Sequence, residues 1–193
     1  MLDLSKLHMA RFHYDYMKPK YDDKATLLFT DTDSLCYHVQ TEDMYKDMNE
    51  DKHLFDMSDY KMDGYRSCDE TNKKVIGKFK DETSGVPIVE FCGLRPKMYS
   101  ILLDNETCKM TGKGIKKSAL QKYVKHQDYV KCLTSCFSPD QRQLVSFNNL
   151  RSVKHQIGMY RYTKVGLSCS NDKQYLLDDG ITSLSYGHFK IPR

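Results

Sequence analysis

Two aspartates one residue apart, Asp31 and Asp33, are the residues of this chain whose spacing best suits metal chemistry. They lie between two short runs that favour strands, so both carboxylates are expected at the tip of a β-hairpin. Hard divalent cations such as Mg²⁺ take oxygen ligands, commonly one or two protein carboxylates together with substrate phosphates. With a third carboxylate from elsewhere, such a site holds two metal ions for in-line phosphoryl transfer. Acidic turns are more often solvated loops, so the spacing alone does not decide the function.

The elements that position this turn are visible around it. Apolar side chains recur at steps of three and four, which predicts an amphipathic helix: Leu7, Ala10, Tyr14 and Met17. Because Pro19 disfavours helical backbone at the residue before it, the helix is predicted to end at Lys18. Residues 25–30 are rich in strand formers and predict the first strand of the hairpin.

The second strand of the hairpin is predicted over residues 34–39. Its larger apolar side chains, Leu35, Tyr37 and Val39, alternate with three smaller or polar ones and are expected on the buried face. A helix is then predicted to start at residues 41–43, where acidic side chains suit the positive end of a helix dipole.

The rest of the chain reads as short strands and two basic helices. The helices are predicted over residues 116–124 and 127–133. The strands are predicted over residues 86–103, with an interruption at 93–96, and over 106–110, 159–165, 174–177 and 181–186. Asp104 and Asn105 are expected to form the turn before the second of these strands.

Charge is distributed unevenly along the 193 residues. Residues 1–70 sum to about −7 and residues 71–193 to about +11, which suggests a cation site near a polyanion-binding surface. Lysines are concentrated in one short segment: Lys109, Lys113, Lys116, Lys117, Lys122 and Lys125. Such a surface binds DNA phosphates without regard to sequence. The alternative is a solvated, lysine-rich helix.

The composition predicts a globular chain that remains inside the cell. Hydrophobic residues make up 39% and charged residues 29%, and no apolar run approaches the roughly 20 residues of a membrane span. The start of the chain carries Asp3 and lacks the apolar core of a signal peptide. Its 7 cysteines include no Cys-x-x-Cys pair, which favours reduced thiols. We therefore expect a nuclear or cytoplasmic protein that is not secreted.

The residues around the acidic turn resemble motif C of the family B DNA polymerases. Residues 28–35 read Leu-Phe-Thr-Asp-Thr-Asp-Ser-Leu, and residues 93–100 read Gly-Leu-Arg-Pro-Lys-Met-Tyr-Ser, which is similar to the Lys-x-Tyr motif of that family. Residues 111–117, Thr-Gly-Lys-Gly-Ile-Lys-Lys, are similar to the entry to the thumb in the protein-primed branch. Residues 77–82 and 178–188 also resemble that branch. Its members are encoded by viruses, linear plasmids and large self-replicating transposons.

The resemblance implies roles for individual residues. Asp33 corresponds to the motif C aspartate that ligates the catalytic Mg²⁺ ions, and Asp31 to its supporting neighbour. Lys97 and Tyr99 correspond to the pair that contacts the primer-template near the growing end. Their spacing would place both side chains on one face of a strand. The basic residues at the entry to the thumb are expected to bind DNA: Lys113, Lys116 and Lys117.

The resemblance also implies an α+β fold in two parts. Residues 1–103 would be the C-terminal part of a polymerase palm, an antiparallel sheet with the acidic hairpin and a packing helix. Residues 104–193 would be a small thumb subdomain and the C-terminal end. The intact enzyme would use primer-template DNA and deoxynucleoside triphosphates, with no membrane partner. Whether a terminal protein serves as its primer stays open from the sequence.

The motif A aspartate and the lysine-bearing helix that binds the incoming triphosphate would precede Asp31, and this sequence contains neither. We therefore expect no nucleotidyl transfer by this chain alone. Two alternatives stay open from the sequence. One is a non-catalytic DNA-binding remnant of a transposon or viral polymerase. The other is an unrelated interaction domain whose acidic hairpin is ordinary surface.

Overall fold

The computed structural model describes residues 2–60, 69–135, 143–169, 174–179, 182–185 and 187–191. It is a mixed α+β structure whose sheets are small and antiparallel, as predicted. The chain forms two compact units, Met1–Pro87 and Ile88–Arg193. The expected boundary between palm and thumb at residue 103 is a division by function, which these compact units do not test, so it stays a prediction.

The first unit begins with a helix that continues past its predicted end. Helix α1, Leu2–Arg11, passes into a π-helical segment, Phe12–Met17, and then into α2, Lys18–Tyr21. The predicted end at Lys18 is therefore wrong. Proline lacks an N–H donor and its ring collides with the carbonyl four residues earlier. Here the preceding turn is widened, because the Lys18 N–H bonds the carbonyl of His13 five residues back, and Pro19 lies in the first turn of α2.

The predicted acidic hairpin is confirmed. Strands β1, Ala25–Asp31, and β2, Ser34–Val39, pair antiparallel with Asp31 opposite Ser34. The predicted burial of β2 is wrong, since Cys36 is its buried residue, with 8% of its surface exposed. A bulge between Leu27 and Phe29 adds a residue to β1. Bulges increase the local twist, so the simple alternation of buried and exposed side chains is lost.

Helix α3, Met44–Glu50, starts where the sequence predicts it. The Asp43 carboxylate caps it by accepting hydrogen bonds from the backbone N–H of Tyr45, at 2.9 Å, and of Lys46, at 3.3 Å. Such a cap stabilises a helix by about 1 kcal/mol. The core of this unit is formed by Met48, Phe55, Met57 and Tyr60, with aromatic side chains of the first helix packed around them.

The second unit contains a three-stranded sheet and two helices. Strands β3, Ile88–Arg95, β4, Met98–Leu103, and β5, Cys108–Gly112, are joined in sequence order. Helices α4, Lys117–Tyr123, and α5, His126–Thr134, follow within one residue of their predicted starts. The core of the unit combines side chains from the sheet, the two helices and the later part of the chain: Cys92, Met98, Leu120, Tyr129, Val145 and Leu167.

A long two-stranded ribbon follows. Strands β6, Leu144–Val153, and β7, Gln156–Val165, pair over ten residues each. The sequence predicts residues 159–165 of β7, and β6 is missed. The turn at Lys154 and His155 has positive φ at both residues, 51° and 64°. Such turns normally carry Asn-Gly or Asp-Gly, so this sequence lacks the usual hairpin signal.

The last strands, β8, Gln174–Leu176, and β9, Ser183–Ser185, form a short hairpin. Part of the segment predicted as strand over residues 181–186 lies outside the described residues. Four cysteines are free thiols, as expected: Cys36, Cys92, Cys108 and Cys132. Cys169, in contrast, is disulfide-bonded. Within the described part of the chain, no helix has the length and apolar character needed to cross a membrane.

Candidate functional site

The turn that carries the two aspartates is unusually tight. The Asp33 N–H donates to the carbonyl of Asp31 at 2.7 Å, across Thr32, whose φ is +59°. Positive φ is uncommon for any residue other than glycine and is an outlier for a β-branched one. The Thr32 hydroxyl also donates to the Asp31 carboxylate at 3.3 Å. The carboxylate of Asp33 is exposed and that of Asp31 is half-buried at the end of β1.

A third carboxylate lies beside this hairpin. The Ser34 hydroxyl donates to the Glu82 carboxylate at 2.9 Å, across 48 residues of sequence. The neighbouring Asp81 carboxylate holds the turn that follows, because it accepts from the N–H groups of Thr83 and Gly85, each at 2.8 Å. Burial, and then the negative charge of Glu82, raise the pKa of the Cys36 thiol to about 11. No local sequence signal brings Glu82 to the hairpin, and its position there was not predicted.

The carboxylates supply only part of a metal site. Among the residues that the structure describes, no group of three or more His, Cys, Asp or Glu side chains is arranged to hold a metal ion. Mg²⁺ in proteins is commonly held through one or two carboxylates, with substrate phosphates and water completing its shell. Asp31 and Asp33 could therefore supply part of the coordination shell of one Mg²⁺ ion. A site that binds two metal ions tightly would need further ligands.

Lys97 does not lie on a strand, so that part of the prediction is wrong. It forms, with Pro96, the two-residue turn between Arg95 of β3 and Met98 of β4, and its φ is +60°. Proline favours the first central position of a turn whose second central residue has positive φ. Lys97 is thus exposed at the tip of the β3–β4 hairpin.

Tyr99 lies two residues further, on the central strand β4, and is half-buried. Its backbone N–H donates to the Thr111 hydroxyl at 3.2 Å, and its ring centroid lies 6.1 Å from that of Phe91. The structure therefore places Lys97 and Tyr99 close together in sequence, but on a turn and a strand rather than on one strand face. Their contact with DNA stays a prediction.

Replacing Lys97 with glycine should separate fold stability from DNA binding. Glycine adopts positive φ freely, so the free energy of unfolding should rise by about 0.5–1 kcal/mol. Loss of one phosphate contact should weaken primer-template binding about fivefold near 0.15 M salt. Urea denaturation and fluorescence anisotropy measure the two effects. Lys97→Met keeps a side chain at the positive-φ position, so it should show the same fivefold weakening of binding without the gain in stability. Unchanged binding in both variants would show that Lys97 does not contact DNA.

The lysines expected at the thumb entry are brought together between β5 and α4. Lys113 lies in the turn after β5, Lys116 immediately precedes α4, and Lys117 is the first residue of the helix; all three are exposed. Lys122 lies 5.2 Å from the ring centroid of the exposed Tyr123. The second unit has 17 Lys and Arg residues against 8 Asp and Glu, whereas the first has 13 against 18.

The β6–β7 ribbon adds positive charge that the sequence-based prediction overlooked. It carries Arg151, Lys154, Arg161 and Lys164, all exposed. No acidic residue occurs between residues 143 and 169. This absence of acidic residues can be read from the sequence, and it is the signal that could have identified the ribbon as a positively charged surface.

One further constellation has the residue types of a nucleophilic relay. The His126 ring lies 2.8 Å from the Ser100 hydroxyl through Nδ1, and 3.3 Å from the Glu90 carboxylate through Nε2. A nucleophile must be reachable by its substrate, and Ser100 has 0% of its surface exposed. The hydrogen bond between Ser100 and His126 therefore ties α5 to the sheet rather than forming part of an active site, while His126 Nε2 makes no hydrogen bond to any residue that the structure describes, although the Glu90 carboxylate lies near it.

Comparison with known proteins gives no match: no family model fits the chain, and no curated protein or solved structure is significantly similar to it. The resemblance to family B polymerases thus depends on the motifs quoted above.

Proposed function

We propose that this chain is the C-terminal palm-and-thumb part of a protein-primed family B DNA polymerase. One observation carries the proposal: the Asp-Thr-Asp-Ser segment forms a tight turn between two paired strands, with Asp31 opposite Ser34. This is the hairpin that the motif C resemblance requires.

The backbone of the turn supports a functional role. Thr32 is held at a φ of +59°, although the chain places a β-branched residue there. Backbone conformations of this kind cost on the order of 1–3 kcal/mol and cluster at functional sites. In the proposal, the strain fixes the directions in which Asp31 and Asp33 leave the hairpin.

Asp31 and Asp33 would hold Mg²⁺ together with the phosphates of the incoming nucleotide. When bound, the metal neutralises the charge that develops on the transferred phosphoryl group. The chain's own contribution is to position its two carboxylates at the hairpin tip. Ser34 anchors Glu82 beside them through the 2.9 Å hydrogen bond. In the second unit, Lys97 and the lysines at the start of α4 would hold the DNA backbone.

Binding of Mn²⁺ tests the metal role without requiring activity. Paramagnetic Mn²⁺ should broaden the backbone NMR signals of residues 31–34 in the full chain, at millimolar rather than micromolar concentration because the ligand set is incomplete. The double variant Asp31→Asn, Asp33→Asn should abolish the broadening there. The exposed pair Asp22 and Asp23 is the matched control, since the same change at those residues should have no effect at the hairpin. Equal broadening at both acidic pairs would contradict a dedicated site.

The purified chain should not extend a primer. Orientation of the triphosphate contributes much of the rate of such a reaction, and the helix expected to provide it is not in this sequence. The measurement is extension of a labelled primer-template with Mg²⁺ or Mn²⁺ and all four deoxynucleoside triphosphates. Detectable extension would contradict this expectation and would assign the reaction to residues of this chain.

A second candidate is a non-catalytic DNA-binding remnant of such a polymerase. The excess of Lys and Arg in the second unit favours it independently of the acidic hairpin. Primer-template binding without any requirement for a metal would support this reading. If the chain binds no DNA, the third reading, an interaction domain unrelated to polymerases, would remain.

A further inference from the structure

The β6–β7 ribbon has two chemically different faces. In an antiparallel pair, residues directly opposite each other point to the same face. The register places Phe147 opposite Tyr162, Asn149 opposite Tyr160 and Arg151 opposite Gly158, which together form what we call the aromatic face. The opposite side, which we call the aliphatic face, carries five apolar side chains and five polar ones. The apolar residues are Leu144, Leu150, Ile157, Met159 and Val165, and the polar ones include Arg161.

Two rings of the aromatic face lie beside each other, and a third lies further along the same strand. The centroids of Phe147 and Tyr162 lie 6.3 Å apart, with 30° between the ring planes. Tyr160 is 41% exposed, and its ring lies along the strand over Gly158: a Cβ built at Gly158 would be only 3.0 Å from it. The glycine therefore provides the space in which the tyrosine ring lies against the ribbon.

Positive charge borders these rings. Arg151 Nη1 donates to the hydroxyl of Tyr162 at 3.2 Å, which places the guanidinium beside these rings. Lys164 lies on the same face at the base of the ribbon, and Lys154 lies in the turn at its tip. Since no acidic residue occurs from residue 143 to 169, the ribbon is complementary to an anionic partner throughout its length.

We infer that the aromatic face binds single-stranded DNA, with unpaired bases stacked on Tyr160 and Tyr162 and phosphates held by Arg151 and Lys164. Proteins that bind single strands combine a positive surface that follows the backbone with aromatic rings on which the bases stack. A duplex does not offer this contact, because the faces of its bases are already stacked on one another.

This inference does not depend on the polymerase proposal. It requires only the ribbon, whereas the polymerase proposal concerns the acidic hairpin, Lys97 and the lysines at the start of α4. An experiment that contradicts one of the two proposals would therefore not contradict the other.

The test compares variants of Tyr160 in the full chain. The probes are a fluorescein-labelled oligothymidylate of about 12 nucleotides, within the usual site size, and a blunt duplex of the same length. Tyr160→Leu should weaken binding of the single strand about 5- to 150-fold, the usual contribution of one stacked base. Binding of the duplex should be unchanged. Tyr160→Phe retains the ring and should bind the single strand as the unaltered chain does.

Met159 provides the matched control, because it is the adjacent residue of β7, is 67% exposed and lies on the aliphatic face. Met159→Ala should bind the oligothymidylate as tightly as the unaltered chain. Three results would overturn the inference: unchanged single-strand binding in Tyr160→Leu, an equal loss for single strand and duplex, or an equal loss in Met159→Ala. Circular dichroism of each variant verifies that the ribbon has folded.

Discussion

Replacing Lys113, Lys116 and Lys117 together with glutamine should weaken primer-template binding on the order of a hundredfold near 0.15 M salt. The physical basis is counterion release, since each neutralised phosphate contributes a slope of about −0.9 to the logarithm of affinity against the logarithm of salt concentration. Three lost contacts should therefore reduce the magnitude of this slope by about 2.7. The measurement is fluorescence anisotropy of a labelled primer-template at several salt concentrations.

The control separates a local contact from the effect of net charge. Lys18, Lys24 and Lys46 are exposed lysines of the acidic first unit, and their replacement by glutamine removes the same three charges. This control variant should retain the salt slope of the unaltered chain. If both triple variants lose affinity equally, the lysines at the start of α4 do not form a defined DNA surface, and the thumb role proposed for them is wrong.

The largest loss of stability should follow replacement of Tyr129 with alanine. Tyr129 of α5 has 0% of its surface exposed, and its hydroxyl donates to the Thr111 carbonyl of β5 at 2.7 Å. Removing a buried ring of this size leaves a cavity and costs about 3–5 kcal/mol. Since whole domains are stable by only about 5–15 kcal/mol, this variant should leave the second unit close to unfolding. Urea denaturation monitored by circular dichroism measures the loss.

Two further tyrosine variants separate the contributions of ring burial and of the hydrogen bond to the free energy of unfolding. Tyr129→Phe keeps the ring and removes the hydrogen bond, so it should destabilise the unit by about 1 kcal/mol. Tyr123→Ala, in α4, removes the same side chain at a position that is 52% exposed, and should change stability by no more than about 0.5 kcal/mol. Equal effects of Tyr129→Ala and Tyr123→Ala would contradict the position of Tyr129 in the core.

Local patterns predicted the elements whose signals are strong and contiguous. The hairpin of β1 and β2, the cap of α3 at Asp43 and both basic helices follow from alternation, capping chemistry and helical spacing. The prediction failed where one residue acts against its usual preference. Pro19 continues a helix because the π-helical turn before it is widened. Strand β6 was missed because its turn uses Lys154 and His155 in place of Asn-Gly.

The candidate site was predictable only in part. The positions of Asp31 and Asp33 at a hairpin tip follow from the two strand-like runs on either side. The approach of Glu82 depends on a hydrogen bond to Ser34 from a distant part of the chain, and no local pattern carries that information. Lys97 was expected on a strand, yet Pro96 places it in a turn. The aromatic face of the ribbon could not be predicted, because it depends on the pairing of β7 with β6 and β6 was not predicted.

Four hairpin tips of this chain share a feature that bears on any attempt to redesign it. Their turns hold residues other than glycine at positive φ, a conformation that glycine and asparagine adopt more readily: Thr32, Lys97, Glu106, Lys154 and His155. A procedure that selects substitutions for thermal stability alone would replace these residues first. It would produce a more stable protein whose hairpin turns had lost the polar and cationic side chains that they expose to solvent. Libraries built from this sequence should therefore be screened for binding as well as for resistance to heat.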